Sequence, residues 1–416
     1  MKVLCKTGKR LLTESFSRSA ERRRNGAAQQ KARRSTRQMT IAYLDDSATT
    51  RVSEKAALKA AEMMTKNFGN PSSVYSLGLD AEMEVKKARR SIAERLGCGE
   101  KEIFFTSCGT EANNLALFGA ADALKKTGKK IITTAIEHPS VLNAAKELEK
   151  RGFEVVFLPV YGDGKIRLRD LEGELDESVI LVSIMLVNNE TGAVQPVKEA
   201  AGLTKRLCKN ALFHCDMVQG FGKTGDTVGE LGVDLLSVSG HKIHAPKGVG
   251  ALYVRNGIKI NSILFGGGQE KGLRSGTENV PAIAAFGVAA EEIPDEKEAL
   301  ERAAKLNETV RSLLLSIDGV KINSPEDALP YIINLSLPGV PSEVMIHFLE
   351  GEGMFVSGGS ACSKGRRSHV LTAQGLPPEI IDSAIRVSFS PDTPDRHVKM
   401  FAENVKNAAR LLRRKK

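Results

Sequence analysis

A short apolar run followed by a glycine-rich loop carries the main signal for the fold: Val233-Asp234-Leu235-Leu236-Ser237-Val238-Ser239-Gly240-His241-Lys242-Ile243-His244-Ala245-Pro246-Lys247-Gly248-Val249-Gly250. The run from 233 to 238 predicts a short buried β-strand. The glycine and proline residues after it predict an irregular loop rather than a helix. Lys242 is therefore expected in a confined site at the end of a strand.

Lys242 has the surroundings that make an amine reactive. Desolvation lowers the pKa of an amine, and a neutral amine can form a Schiff base with an aldehyde. Ser239 and His241 lie beside it and offer donors for a phosphate. This combination suits pyridoxal 5'-phosphate, which has both an aldehyde and a phosphate. A surface lysine in a glycine-rich turn is the alternative that this stretch alone leaves open.

Three further features would complete such a cofactor site. Asp216 follows the apolar run 212–215 and could keep a pyridine nitrogen protonated, although a turn or helix-capping aspartate is the alternative. Gly109 and Thr110 begin a helical pattern, and free N–H groups at a helix N-terminus bind phosphate. His138 lies between a predicted strand and a predicted helix, where it could stack on the ring and move protons.

Short apolar runs alternate with helical segments through the first two thirds of the chain. This alternation predicts an α/β domain with a mostly parallel sheet covered by helices on both faces. The predicted strands are 103–105, 131–134, 155–158, 180–184, 212–215 and 251–254, and the clearest helices are 53–65, 80–96, 140–150 and 197–209. From about residue 294 the pattern changes to α+β. We therefore expect a large domain at 52–293 and a smaller domain formed by 39–51 and 294–416.

Composition narrows the class of protein. The 416 residues are 41% hydrophobic and 26% charged, which is typical of a globular protein, and no apolar run is long enough to span a membrane. The six cysteines form neither a CxxC pair nor a dense framework, so neither a zinc site nor a disulfide scaffold is expected. No other metal site is expected. A reducing, cytoplasmic location fits this cysteine pattern.

The net charge of +10 resides in the N-terminal segment. Residues 1–38 carry twelve basic and two acidic side chains, while the rest of the chain carries 48 of each. We expect 1–38 to be disordered, either as an organellar presequence or as an extension upstream of a start at Met39. Nucleic-acid binding is not expected of the folded body. Attachment to nucleic acid through the tail of a non-enzymatic protein is the weakest alternative.

Nine motifs together give a family resemblance that extends from about residue 41 to 390. The sequence resembles cysteine desulfurases of the NifS/IscS kind, which are pyridoxal-phosphate enzymes with the class V aminotransferase fold (fold type I). The motifs are Tyr43–Thr50, Gly69–Ser73, Thr106–Asn114, Val187–Gly192, His214–Gln219, Ser239–Gly250, Gly266–Glu270, Arg274–Thr277 and Ser357–Cys362.

The resemblance implies a role for each matching site residue. It implies a homodimer, because one phosphate contact would come from the other subunit. The implied roles are Lys242 as the Schiff-base lysine; Asp216 at the pyridinium nitrogen; Gln219 at the phenolic oxygen with Asn189 close by; Gly109, Thr110, Ser239 and His241 at the phosphate; Thr277 at the phosphate of the other subunit; His138 stacked on the ring; and Asn70 and Arg386 at the substrate carboxylate.

Cys362 determines the reaction that the resemblance implies. Its thiolate would take the sulfur of L-cysteine as a persulfide and leave L-alanine, and its small-residue, basic surroundings favour a thiolate. We expect residues from about 358 to 368 to be exposed, with Lys364, Arg366 and Arg367 as a docking feature for an acidic partner. The resemblance implies an iron–sulfur scaffold or a tRNA-thiolation carrier as sulfur acceptor. A selenocysteine lyase and another class V transaminase are the alternatives.

Overall fold

The structure is a computed structural model that describes residues 41–358, 367–390 and 392–413. The described residues from Tyr43 onward form one compact unit. The predicted disordered tail at 1–38 lies outside the described residues. None of the helices in the described ranges combines the length and the apolarity that a membrane crossing needs.

The helices and strands alternate along the first part of the chain. The strands are β1 Ala42–Tyr43, β2 Ile103–Thr106, β3 Lys130–Thr134, β4 Glu154–Leu158, β5 Val179–Ser183, β6 Leu212–Asp216, β7 Leu235–Ser239, β8 Gly250–Val254, β9 Lys321–Ile322, β10 Ile332–Ser336, β11 Met354–Phe355, β12 Ser357–Gly358 and β13 Ala384–Ser388. The helices are α1 Glu54–Thr65, α2 Ser76–Leu96, α3 Gly109–Leu124, α4 Pro139–Lys150, α5 Leu168–Glu174, α6 Val197–Leu207, α7 Val228–Leu231, α8 Val280–Glu291, α9 Glu296–Leu315, α10 Ser342–Gly351, α11 His369–Ala373, α12 Pro378–Ile381 and α13 Asp395–Leu412.

A seven-stranded sheet in the order β2-β8-β7-β6-β5-β3-β4 forms the centre of the chain. Strands β7, β6, β5, β3 and β4 run parallel to one another, whereas β8 is antiparallel to both β7 and β2. The α/β architecture with a mostly parallel sheet, as in fold type I, is therefore confirmed.

Adjacent residues of the central strands pack into different hydrophobic clusters. Leu212 and Leu235 belong to the cluster beneath α3 and α4, whereas Phe213 and Leu236 belong to the cluster that includes α2 and α8. Side chains alternate between the two faces of a strand, so these clusters cover opposite faces of the sheet. Burial on both faces explains why the strand sequences are continuous apolar runs and do not alternate between apolar and polar residues.

Helix ends follow the capping residues of the sequence. Ser53 caps α1 by accepting a hydrogen bond from the N–H of Ala56 at 3.1 Å, and Gly97 ends α2 in the left-handed region at φ 66°. The predicted start of α2 at Asp80 is wrong, because the helix begins at Ser76. The carbonyl of Tyr75 accepts hydrogen bonds from the N–H groups of Gly78 and Leu79 in its first turn. This first turn exposes its apolar side chains, so it lacks the periodicity of a buried helix face.

A second, four-stranded sheet in the order β12-β13-β10-β9 lies after residue 294. All of its pairings are antiparallel. Helices α9 and α13 pack against each other in this part of the chain. Its antiparallel strands and helices fit the α+β pattern expected there, while the boundaries of the two domains stay a prediction.

Close packing of α2 against α8 gives the first testable prediction. A Cβ at Gly287 would lie 2.5 Å from the Cα of Ala88, so Gly287→Ala forces the two helices apart. We expect a loss of about 1–3 kcal/mol in the free energy of unfolding, measured by urea denaturation.

Gly202 in α6 provides the matched control, because a Cβ there would meet nothing within 4 Å. Gly202→Ala is expected to stabilise the helix by about 0.5–1 kcal/mol. The packing account is wrong if Gly287→Ala is as stable as Gly202→Ala.

Candidate active site

The candidate site lies at the carboxyl ends of two neighbouring parallel strands. Asp216 is the last residue of β6 and Ser239 the last residue of β7. A one-turn 3-10 helix, Gly240–Lys242, follows β7 directly. Ligands of open α/β sheets bind at this edge, where strand ends and helix starts meet.

The amine of Lys242 is held by backbone carbonyls rather than by a carboxylate. Its Nζ donates to the carbonyl of Ser47 at 2.5 Å and to that of Ala48 at 2.9 Å. Burial, together with the positive charges of Lys223 and Arg386, lowers the pKa of Lys242 to about 7, although Asp45 and Asp216 oppose the decrease. A large fraction of this amine is therefore neutral, and thus nucleophilic, at neutral pH.

The segment 47–50, which supplies these carbonyls, is hydrogen-bonded to the loop that carries Lys242 (the lysine loop, 240–250). The Thr50 N–H donates to the carbonyl of His241 at 2.9 Å, and Gln219 Nε2 donates to the carbonyl of Ser47 at 3.0 Å. His244 adopts a left-handed backbone at φ 67°, and its N–H donates to Thr50 Oγ1 at 2.8 Å. An αL conformation is unusual for a non-glycine residue, so this contact holds the loop in a strained shape.

A chain of hydrogen bonds connects Asp216 to His138. Asn113 Nδ2 donates to Asp216 Oδ2 at 2.7 Å and to Ser140 Oγ at 2.8 Å. Ser140 Oγ lies 2.7 Å from His138 Nδ1, and the Ser140 N–H donates to the same nitrogen at 3.2 Å. Since Ser140 Oγ already accepts from Asn113, its hydroxyl donates to Nδ1, and the network assigns the imidazole proton to Nε2.

His138 is neutral in this setting. Burial lowers its pKa, and nearby Lys242 and His369 lower it further, although the Asp216 carboxylate opposes them. His138 is the N-cap of α4, and its Nδ1 accepts from the Ser140 N–H. This capping contact at the start of the helix holds the ring in place. The Nε2–H donor is left to face a ligand.

The start of α3 approaches β7 closely. A Cβ at Gly109 would lie 2.7 Å from Val218 Cγ2 and 3.4 Å from Ser239 Cβ, so only glycine fits there. Ser239 is 2% exposed, and its Oγ has no hydrogen-bond partner among the described residues. Thr110, in the first turn of α3, is exposed. Free helix N–H groups and an unpaired hydroxyl make this corner suitable for an anion.

His241 lies in the same turn as Ser239. Its Nδ1 is 3.3 Å from Thr49 Oγ1. Burial lowers the pKa of His241 to about 4, and the charges of Lys242, Lys247 and Lys223 contribute. The ring is therefore neutral at pH 7 and can contact a phosphate as a hydrogen-bond donor rather than as a cation.

Arg386 is buried at 3% exposure in the second sheet. It donates to Asp45 Oδ1 at 2.9 Å, to Ser357 Oγ at 2.8 Å and to the carbonyl of Asn189 at 2.8 Å. Its Nε has no partner among the described residues. The guanidinium is thus fixed in place, and its Nε–H is left for a ligand.

Asn70 and Thr277 line a separate groove of about 280 Å³ with residues of α1 and α8. Asn70 Oδ1 accepts from the Ser72 N–H at 3.0 Å. No described hydrogen bond joins Asn70 to Arg386, so the two residues expected to hold one carboxylate are not brought together by direct contact.

The segment around the expected nucleophile is described only at its two ends. Cys362, Lys364 and Arg366 lie outside the described residues. Arg367 is exposed but forms a two-pronged ion pair with Asp382 at 2.7 and 2.9 Å, so its charge is already compensated within the chain.

The expectation of exposure from about 358 to 368 is wrong at its last residue. Ser368 is 5% exposed and donates to Glu190 Oε2 at 2.5 Å. It also caps α11 by accepting from the Leu371 N–H. Capping a helix against the buried Val187–Gly192 motif removes Ser368 from solvent.

Sequence reasoning missed several residues of this site. Asn113 could have been found by helical spacing, because it lies one turn after Gly109 on the same face of α3. Asp45 lies inside the motif Tyr43–Thr50 and Ser140 begins a predicted helix, but no local pattern shows which partner each one contacts. Lys223 gave no signal, since one lysine in a turn after Gln219 resembles a surface residue.

Comparison with known proteins places this geometry in a family. The aminotransferase class-V family model matches residues 42–401. A cysteine desulfurase IscS from Clostridium botulinum is 40% identical over 370 residues, which cover 87% of this chain and 92% of that protein. A solved NifS-like protein superimposes with a TM-score of 0.84 at 38% identity, covering 90% of this chain and 100% of the other.

A second solved structure, SspA in complex with cysteine, has a TM-score of 0.76 at 34% identity and covers 84% of this chain and 99% of its own. The similarity therefore extends over most of the chain. The chain belongs to the NifS/IscS-type cysteine desulfurases of the class V aminotransferase family.

Proposed function

We propose that this chain is a pyridoxal-phosphate-dependent cysteine desulfurase that moves the sulfur of L-cysteine to Cys362 and releases L-alanine. The proposal rests on Lys242, whose buried amine has a pKa lowered to about 7 at the end of a central strand. The names of the relatives support cysteine desulfuration, and they give no support to a selenocysteine lyase or a transaminase.

The residues of the site fit pyridoxal phosphate. Ser239 Oγ and Arg386 Nε are buried polar atoms without described partners, as expected where a ligand completes the hydrogen bonding. Gly109, Thr110, Ser239 and His241 would hold the phosphate, and Asp216 would face the pyridine nitrogen. When bound, the cofactor supplies an electron sink for the charge left after the α-proton of an amino acid is removed.

Lys242 and Asp216 carry the acid–base work in this proposal. Lys242 Nζ would be the nucleophile that holds the cofactor, and as a free amine it would be the base that takes the α-proton of the substrate. The Asp216 carboxylate accepts from Asn113 Nδ2 and from the Val218 N–H at 3.0 Å. These two donors fix the orientation of the carboxylate.

His138, Gln219 and Asn189 orient the bound groups. His138 would stack on the ring, and its Nε2 proton is available to a leaving or arriving group because Nδ1 is engaged by Ser140. Gln219 would donate to the phenolic oxygen of the cofactor. Asn189 lies beside this position, and its carbonyl is tied to Arg386 at 2.8 Å.

Arg386 is the proposed site for the substrate carboxylate. Its Nε is free to donate, and its terminal nitrogens are oriented by Asp45 and Ser357. Arginine suits this role because its planar fork matches carboxylate geometry. Asn70 would assist at the same carboxylate.

Cys362 performs the sulfur transfer. Its thiolate attacks the sulfur of L-cysteine, the carbon–sulfur bond breaks as the sulfur–sulfur bond forms, and the freed carbon takes a proton to give alanine. The step balances without an external oxidant, and a reductant is needed only for later release of sulfide. An iron–sulfur scaffold or a tRNA-thiolation carrier would accept the sulfur, and the cytoplasmic location stays a prediction.

A homodimer is supported by exposed apolar side chains. Val74, Tyr75 and Leu79 at the start of α2, Phe68 before it and Phe265 are each at least 55% exposed. Thr277 lies on the groove beside Phe68 and Asn70. Apolar surface of this kind is typical of a subunit interface, which fits the proposed contact of Thr277 with the cofactor phosphate of the partner subunit.

Replacement of the nucleophile tests the function directly. Cys362→Ser is expected to bind the cofactor with unchanged colour but to form no protein persulfide from L-cysteine, measured by mass spectrometry of alkylated peptides. Cys108→Ser is the control and should keep persulfide formation at Cys362.

Parallel reactions with L-selenocysteine separate the alternatives. Alanine and sulfide release by Cys362→Ser at the parent rate with L-cysteine would overturn the nucleophile assignment. Activity confined to selenocysteine, or exchange of the amino group with a keto acid, would overturn the desulfurase assignment.

A charged substitution tests the proposed dimer. Val74 is 102% exposed, and Val74→Asp is expected to shift the protein from dimer to monomer in analytical ultracentrifugation, because an interface would bury the new charge. Leu411→Asp, on the 69% exposed Leu411 of α13, should leave the dimer intact. A parent protein that sediments as a monomer would contradict the proposal.

A further inference from the structure

A second buried lysine, Lys223, lies in the turn that follows β6. It is 9% exposed, and it forms no salt bridge within the part of the chain that the structure describes. Its Nζ donates to Gln219 Oε1 at 3.4 Å. A buried ammonium without an ion pair is costly, and an apolar side chain of similar length would be cheaper. The charge therefore calls for a functional explanation.

The ammonium of Lys223 dictates how the Gln219 amide is oriented. Lysine can only donate hydrogen bonds, so Gln219 turns its oxygen towards Lys223 and its NH₂ group away from it. The NH₂ group donates to the Ser47 carbonyl at 3.0 Å, and the same carbonyl accepts from Lys242 Nζ at 2.5 Å. One chain of hydrogen bonds thus connects Lys223 to Lys242 through Gln219 and the Ser47 carbonyl.

We propose that Lys223 is a positioning residue for Lys242 and Gln219: its ammonium fixes the Gln219 amide with the N–H donors facing the site, and its charge opposes protonation of the Lys242 amine. The inference deepens the proposed function and rests on Lys242 being the cofactor lysine. Lys223 itself touches neither substrate nor cofactor in this account.

The charges around Lys242 favour this role for Lys223. Lys223 and Arg386 disfavour the protonated amine, whereas Asp45 and Asp216 favour it. Arg386 is paired with Asp45 at 2.9 Å, so these two largely cancel. Lys223 has no such direct partner among the described residues, and its charge acts on the amine without that compensation.

Lys223 stays mostly charged at neutral pH although its surroundings lower its pKa. Burial lowers the pKa of Lys223 to about 8, with Asp46 opposing the decrease and Arg386 adding to it. Burial raises the pKa of Asp46 to about 7, although Lys223 opposes that increase. Near pH 7 Lys223 is thus mostly protonated while Asp46 compensates it only in part.

The test measures cofactor capture by the full-length, cofactor-free enzyme. Pyridoxal 5'-phosphate is mixed with parent, Lys223→Met, Lys223→Gln, Lys223→Arg and Lys247→Met proteins, and the rate of imine formation is followed by absorbance from pH 6 to 10. The parent midpoint is expected near pH 7, where Lys242 loses its proton. The pKa of Lys242 is lowered in the folded protein, so capture is fast above this pH and slow below it.

Loss of the Lys223 charge is expected to raise the midpoint by about one pH unit, which slows capture about tenfold below the midpoint. Lys223→Arg should keep the parent midpoint because it keeps the charge. Lys247 is exposed in the loop that carries Lys242, so Lys247→Met should also keep the parent midpoint. In the loaded enzymes, the pH at which the visible band changes should move in the same direction for Lys223→Met and Lys223→Gln only.

A merely structural lysine would give a different pattern. The midpoint temperature of thermal unfolding would fall in Lys223→Met while the pH midpoint of cofactor capture stayed unchanged, and that result overturns the proposal. Equal midpoints in parent and Lys223→Gln overturn it as well if Lys223→Met does not fold. If Lys242→Ala still captures the cofactor as an imine, the proposed function fails instead, whatever the Lys223 variants do.

Discussion

The desolvated amine of Lys242 is the constraint on which the rest of the site depends. A lysine at the end of a central strand loses water, and the structure gives it two backbone carbonyls, from Ser47 and Ala48, in place of a carboxylate. Carbonyls hold the amine in place without stabilising its charge as strongly as an ion pair would. Burial and the nearby charges of Lys223 and Arg386 lower the pKa of this amine to about 7, so the amine is nucleophilic at neutral pH.

The fold brings the other groups to this amine by strand order. Strands β6 and β7 are parallel neighbours, so Asp216 and Ser239 end at the same edge of the sheet. Helix α3 packs on the same strands and brings its N-terminus to that edge, and Asn113 on its next turn connects Asp216 to the His138 network. The segment around Ser47 crosses the lysine loop and reaches the second sheet, where the Ser47 N–H donates to Ser388 Oγ at 2.8 Å.

Local sequence was enough to predict the parts of the site that lie beside a strand end or a helix start. Gly109, His138, Asp216 and Lys242 were all predicted in this way, because capping and strand termination are short-range effects, and their functional roles stay a prediction. The pairing of Arg386 with Asp45 spans 341 residues, and no local pattern contains it. Lys223 was missed for the same reason: its burial depends on packing between distant elements, whereas its neighbours in sequence are those of a turn.

Borohydride reduction of the loaded enzyme, followed by peptide mapping, tests the central claim most directly. Reduction makes the imine permanent, so the modified lysine identifies the amine that holds the cofactor. Two buried amines with lowered pKa values compete here, Lys242 and Lys223. This account predicts a single pyridoxyl label on Lys242; a label on Lys223 or on an exposed lysine, with Lys242 unmodified, would contradict it.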